Sequence, residues 1–347
     1  MRTSRLLLAA AAALMLAAPA LAQTKYRVAW SHYTGWEPWG TAQATGIMKK
    51  WAAKHGIDVE IVLVNDYVES INLYTGGKFE ACAMTNMDAL TIPAVGGVDS
   101  TALIVGSFSN GNDGIVIKQG NAVKDLKGRS VKLVEFSVSH YLLARALAMN
   151  GMSERDVRTV NASDADIAAI FASDAKGAAV TWNPPLQQAR NAKGAKMIFD
   201  SSQIPGEIID LMVVKSGAPD ALKKALAGAW YEAMRLMSGR DKAANDALEA
   251  MAKASGATLA EFKAQLATTA LFYNPAEAAK FASGPDLKKT MEQVRTFTFS
   301  KGLFGKGAKS KDFVGIQFAD KSVLGDTKNV KLRFDALVMQ LAADGKL

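Results

Sequence analysis

Five short stretches of this sequence place acidic, amide and aromatic side chains where a small polar molecule can be gripped. The first is Trp36-Glu37-Pro38-Trp39, two indoles and a carboxylate gathered around a proline at a helix start. Such a set can sandwich a planar cation between aromatic faces while Glu37 accepts its N–H groups. The same residues also read as packing indoles with a first-turn acid favoured by the helix dipole. Asn86 and Asp88 follow the apolar run Glu80 to Met84. Their side chains either face a cleft or serve the helix start, where Thr85 or Asn86 makes a natural N-cap. Glu135 lies between a strand and a helix, in Val134-Glu135-Phe136-Ser137, and His140 follows as either a ligand donor or a satisfied helix histidine. Trp182 and Asn183 end a further strand, with Trp182 either in the cleft or closing a core. Asp210 sits inside the apolar run Ile208 to Val214. An unpaired buried charge is very costly, so Asp210 needs either a ligand or a hydrogen-bond donor at a hinge.

Other chemistries find little support. The chain has three histidines (His32, His55 and His140) and one cysteine, Cys82, with no metal-ligand spacing among them. One cysteine excludes an intramolecular disulfide, and its apolar surroundings, Phe79 to Met84, suit a buried inert thiol. No nucleophile elbow, phosphate loop or paired catalytic signature is present. No cofactor is therefore expected, and binding is favoured over catalysis; an exported enzyme acting on a small amide is the rival, which product formation would reveal. The formal charge of +8 comes from lysines interleaved with acids, not from a basic stripe with stacking aromatics. Nucleic acid is not an expected partner.

The N-terminus predicts export. Arg2 and Arg5 precede the apolar stretch Leu6 to Leu16, and Ala20-Leu21-Ala22 offers small residues at a cleavage site before Gln23. Residues 1–22 thus read as a signal peptide, and loss of its two arginines lowers the formal charge from +8 to +6. With no cysteine near the cleavage site, the product is expected free in the periplasm. The remaining chain, about 325 residues, suits two lobes better than one core.

Strands are expected at Tyr26–Trp30, Val59–Val64, Glu80–Met84 and Ala102–Val105, with helices at Pro38–Lys54, Val68–Thr75 and Asn86–Val95 between them. That alternation predicts a parallel sheet covered on both faces. A second α/β unit runs from Gly114 to Val214, and beyond Pro219 long Ala/Lys/Glu-rich helices reach Gln293. A Phe/Gly/Lys stretch follows, then a last helix over Val330–Ala343. The order implies an α/β fold with lobe one formed by 23–111 plus 215–347 and lobe two by 112–214. Two extended crossovers would hinge them, with C-terminal helices packing on lobe one. Loops at the carboxyl ends of the strands would then converge on one cleft.

Four blocks in register resemble the ABC-transporter solute-binding proteins of the nitrate/sulfonate/taurine type. They are Gly35-Trp36-Glu37-Pro38-Trp39 with its downstream Gly46 and Gly56 segments, Tyr74 to Cys82, Ser137 to Leu143, and Ala178 to Pro184. Longer stretches, Ser31–Trp39, Met84–Leu90, Asn110–Gly114 and Asp200–Asp210, look closer to binding proteins associated with urea carboxylase-type systems, which handle urea or guanidine. The resemblance implies a two-lobed type II periplasmic binding protein, closing on its ligand as a monomer and docking on a membrane permease with an ATPase subunit. It also implies that the Glu135 loop is a Gly/Ser/Thr anion cradle in relatives, so that a carboxylate there would repel nitrate or sulfonate. With Glu37, Asp88, Glu135 and Asp210 as candidate acids, guanidinium is the expected ligand. Urea, another small amide or amine, and a taurine-, sulfonate- or nitrate-type anion remain as alternatives, and sensing remains beside transport.

Overall fold

The computed structural model describes residues 24–347; the signal-peptide reading of 1–22 lies outside the described residues. The first α/β unit runs β1 (Lys25–Trp30), α1 (Glu37–Ala44), α2 (Ile47–Lys54), β2 (Asp58–Leu63), α3 (Tyr67–Thr75), β3 (Ala81–Thr85) and α4 (Asn86–Ala89), then β4 (Ser100–Ser109). Instead of one helix over 38–54 there are two, because Gly46 takes a left-handed φ of 77° that ends one and starts the next. Nothing lies within 4 Å of where a Cβ would stand at Gly46. Gly46→Ala should therefore cost about 1 kcal/mol from backbone strain alone, read by denaturant unfolding; no loss would show that the break has another cause.

The second unit holds β5 (Asp113–Ile117), β6 (Ser130–Leu133), α5 (Val138–Met149), β7 (Arg158–Asn161), β8 (Ala178–Trp182) and β9 (Lys196–Asp200). The chain then passes into β10 (Ile209–Lys215), and helices follow, including α6 (Asp220–Ser238) and α7 (Pro285–Ser300). Between those helices lies β11 (Thr269–Leu271); after them come β12 (Gly315–Gln317), β13 (Val323–Leu324), β14 (Val330–Phe334) and α8 (Leu337–Ala343).

Two sheets result. The larger has the order β13-β12-β14-β4-β10-β3-β1-β2, with β11 added on β4; the smaller has the order β7-β6-β8-β5-β9. The fold is α/β and two-lobed. The larger sheet is mixed, not parallel as the alternation suggested. β1 runs parallel to β2 and β3, whereas β10 comes back from the small sheet and inserts antiparallel between β3 and β4. A second correction concerns the C-terminus, where the expected helix over 330–343 is strand for its first part. Val330-Lys331-Leu332-Arg333-Phe334 alternates, burying Leu332 and Phe334, and pairs with β4 as a further parallel strand.

The C-terminal helices cover the larger sheet. Trp39 of α1 packs on Trp230 of α6 with ring centroids 4.9 Å apart, and both indoles are buried. Cys82 is fully buried in β3, and burial pushes its thiol up to about 12.

Candidate functional site

The chain joins the two sheets twice, through Asn110–Asn112 and through Ser201–Ile208. The crossovers are tied to each other. Ser109 and Ser201 hydroxyls stand 2.6 Å apart, and the Gly111 amide donates to Ser201 Oγ at 2.8 Å. A small, partly open cavity lies beside these crossovers and between the sheets; only about 10 Å³ of it admits the centre of a water-sized sphere. That is close to the least space that holds one water.

Aromatic rings form its walls. Tyr33 and Trp36 follow β1, Tyr67 opens α3, and Trp182 ends β8 on the small sheet. The rings are in sequential contact. Tyr33–Trp36, Trp36–Tyr67 and Tyr67–Trp182 centroids lie 5.0, 5.5 and 5.5 Å apart, so one aromatic run bridges both sheets. The Tyr33 hydroxyl and Trp36 Nε1 are buried without hydrogen-bond partners. Thr85, Val138 and Ile208 complete the lining together with two acids.

Those acids, Asp113 and Asp210, carry the electrostatics. Asp210 on β10 accepts a 2.6 Å hydrogen bond from Ser107 and sits opposite Thr85 in the sheet register. Asp113 opens β5 directly opposite Trp182, its amide donating to Ser109 Oγ at 3.1 Å. Both are almost fully buried. Burial raises Asp113 to about 7 and lifts Asp210 well above the usual carboxylate range, with the negative charge of Asp113 adding to the second. No lysine, arginine or histidine among the described residues lines the cavity. Among the described residues no group of acids, histidines or cysteine is arranged to hold a metal.

Trp36, Trp182 and Asp210 thus meet in the cavity, and the other residues singled out from the sequence lie outside its lining. Trp39 belongs to the core against Trp230. Glu37 is buried one layer away, 2.7 Å from His32 Nδ1; burial raises its carboxyl while His32 lowers it. Asp88 lies behind the wall, accepting from the Tyr67 hydroxyl at 2.5 Å and from Thr85 Oγ1 at 2.7 Å. Because Tyr67 also accepts from the Thr85 amide, its hydroxyl is fully engaged and it presents a ring to the cavity. Burial raises Asp88 to about 6.

Asn86 spends its amide on the backbone of the second crossover, donating to the Glu207 carbonyl and accepting from the Ile209 amide. Glu135 is half-buried, accepts from Thr159 Oγ1 at 2.6 Å, and its amide is held by Asn161. Its loop is therefore built by neighbours on the small sheet. His140 accepts from the Phe136 amide at Nδ1, which leaves its proton on Nε2, 2.5 Å from Glu154. Burial and the nearby Lys301 charge push His140 down to about 4. The Asn183 amide donates to the Asn112 carbonyl, and its buried Oδ1 is unpaired.

Sequence reasoning missed Asp113, Tyr33 and Tyr67. Asp113 had a readable signal, since it opens the apolar run Ile115–Ile117 as a carboxylate just as Asp210 interrupts its own. Tyr67 fell one residue outside the expected helix.

Residues 41–213 match the family described as NMT1/THI5 like. No curated protein matches the chain by sequence comparison. Among solved structures, the alkanesulfonate-binding protein SsuA from Xanthomonas axonopodis pv. citri, bound to MOPS, superposes with a TM-score of 0.66 at 17% identity, covering 82% of this chain and 95% of that one. The periplasmic aliphatic sulphonate binding protein SsuA from Escherichia coli gives 0.65 at 16%, covering 82% and 94%. The periplasmic nitrate-binding protein NrtA from Synechocystis PCC 6803 gives 0.58 at 13%, covering 94% and 99%. The chain therefore has the two-lobed fold of periplasmic solute-binding proteins, with an NMT1/THI5-like segment over residues 41–213.

Proposed function

We propose that this protein is the periplasmic solute-binding component of an ABC importer, not an enzyme, and that it captures guanidinium. The family match and the fold shared with sulfonate- and nitrate-binding proteins support the first half. One observation carries the second: two buried carboxylates, Asp113 and Asp210, share a small aromatic cavity that, among the described residues, no basic side chain lines. A planar monocation offers N–H donors to both acids and its face to Trp36, Tyr67 or Trp182. An anion would find no positive charge in the lining, and an ionised Asp113 or Asp210 would repel it. The start of α5 adds nothing for an anion, since Ser137 Oγ already accepts from the Ser139 amide and Val138 faces the cavity. The narrow cavity favours a small solute.

On this reading the ligand contacts are Tyr33, Trp36, Tyr67, Asp113, Trp182 and Asp210. With sheet membership as guide, lobe two spans about 112–200, residues 201–208 form the second crossover between the sheets, and lobe one resumes at Ile209. Urea is the second reading: burial favours the protonated form of Asp210, which can donate to a carbonyl while Asp113 accepts N–H groups.

Calorimetric titration of the purified protein with guanidinium, urea, taurine and nitrate tests the proposal. Guanidinium is expected to bind, with taurine and nitrate silent. Tight binding of either anion without guanidinium would overturn the charge argument.

A further inference from the structure

The second crossover makes one contact that the cavity does not need. Glu207, immediately before the cavity-lining Ile208, reaches across to α5 on the small sheet. Its Oε2 accepts from the Tyr141 hydroxyl at 2.6 Å and from Arg145 Nε at 2.8 Å, and its Oε1 accepts from Arg145 Nη2 at 2.9 Å. This is a bidentate guanidinium–carboxylate pair, the most directional of ion pairs. The Glu207 side chain is 12% exposed and that of Arg145 31%, so the pair is partly shielded from water.

The backbone on either side of Glu207 is fixed from the opposite lobe. Asn86 Nδ2 donates to the Glu207 carbonyl at 3.1 Å, and Asn86 Oδ1 accepts from the Ile209 amide at 3.0 Å. Asn86 itself follows Thr85, which lines the cavity. On α5, Val138, Tyr141 and Arg145 lie at i, i+3 and i+7 and so share one face. Val138 touches the cavity, while Tyr141 and Arg145 hold Glu207. Further along the same closure, Tyr141 packs edge-on against Phe297 of α7, with centroids 5.2 Å apart.

We propose that Glu207 is a positioning residue, clasping α5 to the second crossover in the closed arrangement and so setting how slowly a captured solute leaves. The inference rests on the solute-capture reading above. Neither Glu207 nor Arg145 lines the cavity, so their effect on binding runs through closure. Association begins with the lobes apart, before the clasp forms; dissociation requires it to break. Its loss should therefore act on the off-rate.

Stopped-flow tryptophan fluorescence with guanidinium, on wild type, Glu207→Gln, Arg145→Met and the double variant, tests this. Either single change is expected to raise the off-rate by about tenfold with the on-rate within about twofold. The double variant should be no worse than the singles, because both remove one interaction. Arg145→Lys, which keeps charge but not the fork, should recover part of the loss. Unchanged off-rates, or additive losses in the double variant, would overturn the clasp. Should wild type show no guanidinium signal, the ligand assignment fails separately. The clasp is then read with urea, taurine or nitrate, whichever the wild type binds, where faster release from both single variants supports it and equal release refutes it.

Discussion

Asp113→Asn should weaken guanidinium binding by about a hundredfold or more near neutral pH and should also raise the melting temperature of the ligand-free protein. Both effects follow from one fact. Asp113 is buried beside Asp210 with no cation in the lining, so its ionised form is unfavourable until a positive ligand arrives. Replacing it with its amide removes the charge that a cation needs, and the remaining acid, lifted well above its ordinary range by burial, gives up its proton less readily. A truncated partner of a buried charge pair costs about 2–5 kcal/mol, which covers the hundredfold loss. In the empty protein the same change removes an electrostatic penalty, so stability should rise. A variant that loses binding and stability together would point to misfolding; one that keeps full affinity would place the cation elsewhere. Calorimetry and thermal melts on the same sample separate these outcomes.

The distinction between Asp113 and the acids first suspected shows what was legible in the sequence. Strand and helix order gave the two α/β units, because short apolar runs alternate with helical periodicity across both. The return strand was legible as an apolar run, yet nothing local in Ile209–Lys215 says that it lies antiparallel between β3 and β4. That placement is set by crossovers distant in sequence. Val330–Phe334 is too short an alternating stretch to stand out from the helical periodicity that follows it. Of the candidate acids, Asp210 was recoverable from its apolar surroundings, the one property a single sequence shows directly. Glu37, Asp88 and Glu135 lie next to the right loops, but each is claimed by a neighbour: His32, the Tyr67–Thr85 pair and Thr159. Proximity in sequence to a cleft loop does not say which way a side chain turns. Asp113 sits in Asn110–Gly114, a stretch that carries the family resemblance without marking its acid as a contact.

Binding should also depend steeply on pH, and in a direction that separates the two candidate ligands. Burial is the first cause of each raised acid: Asp88 to about 6, Asp113 to about 7 and Asp210 well above its usual range. Tyr33 and Tyr67, which face the same space, are raised as well and stay protonated. Below about pH 7 Asp113 therefore carries a proton, and a cation must expel it to bind. Guanidinium affinity should fall about tenfold for each pH unit below that point and level off above it, with protons released in calorimetry across buffers of different ionisation enthalpy. Urea carries no charge and displaces no proton, so its affinity should be flat through neutrality or strengthen on acidification. The folded state alone shows the matching sign. An acid whose carboxyl is raised on folding favours the folded protein at low pH, so ligand-free stability should be greatest below about pH 4 as far as these groups go and should fall as pH rises through 6 and 7. Saturating guanidinium should cancel much of that fall, since its charge takes over from the departing proton. A guanidinium affinity independent of pH between about 5 and 8 would mean that neither buried acid changes its proton on capture, and the cation would then have to be held by the aromatic walls alone.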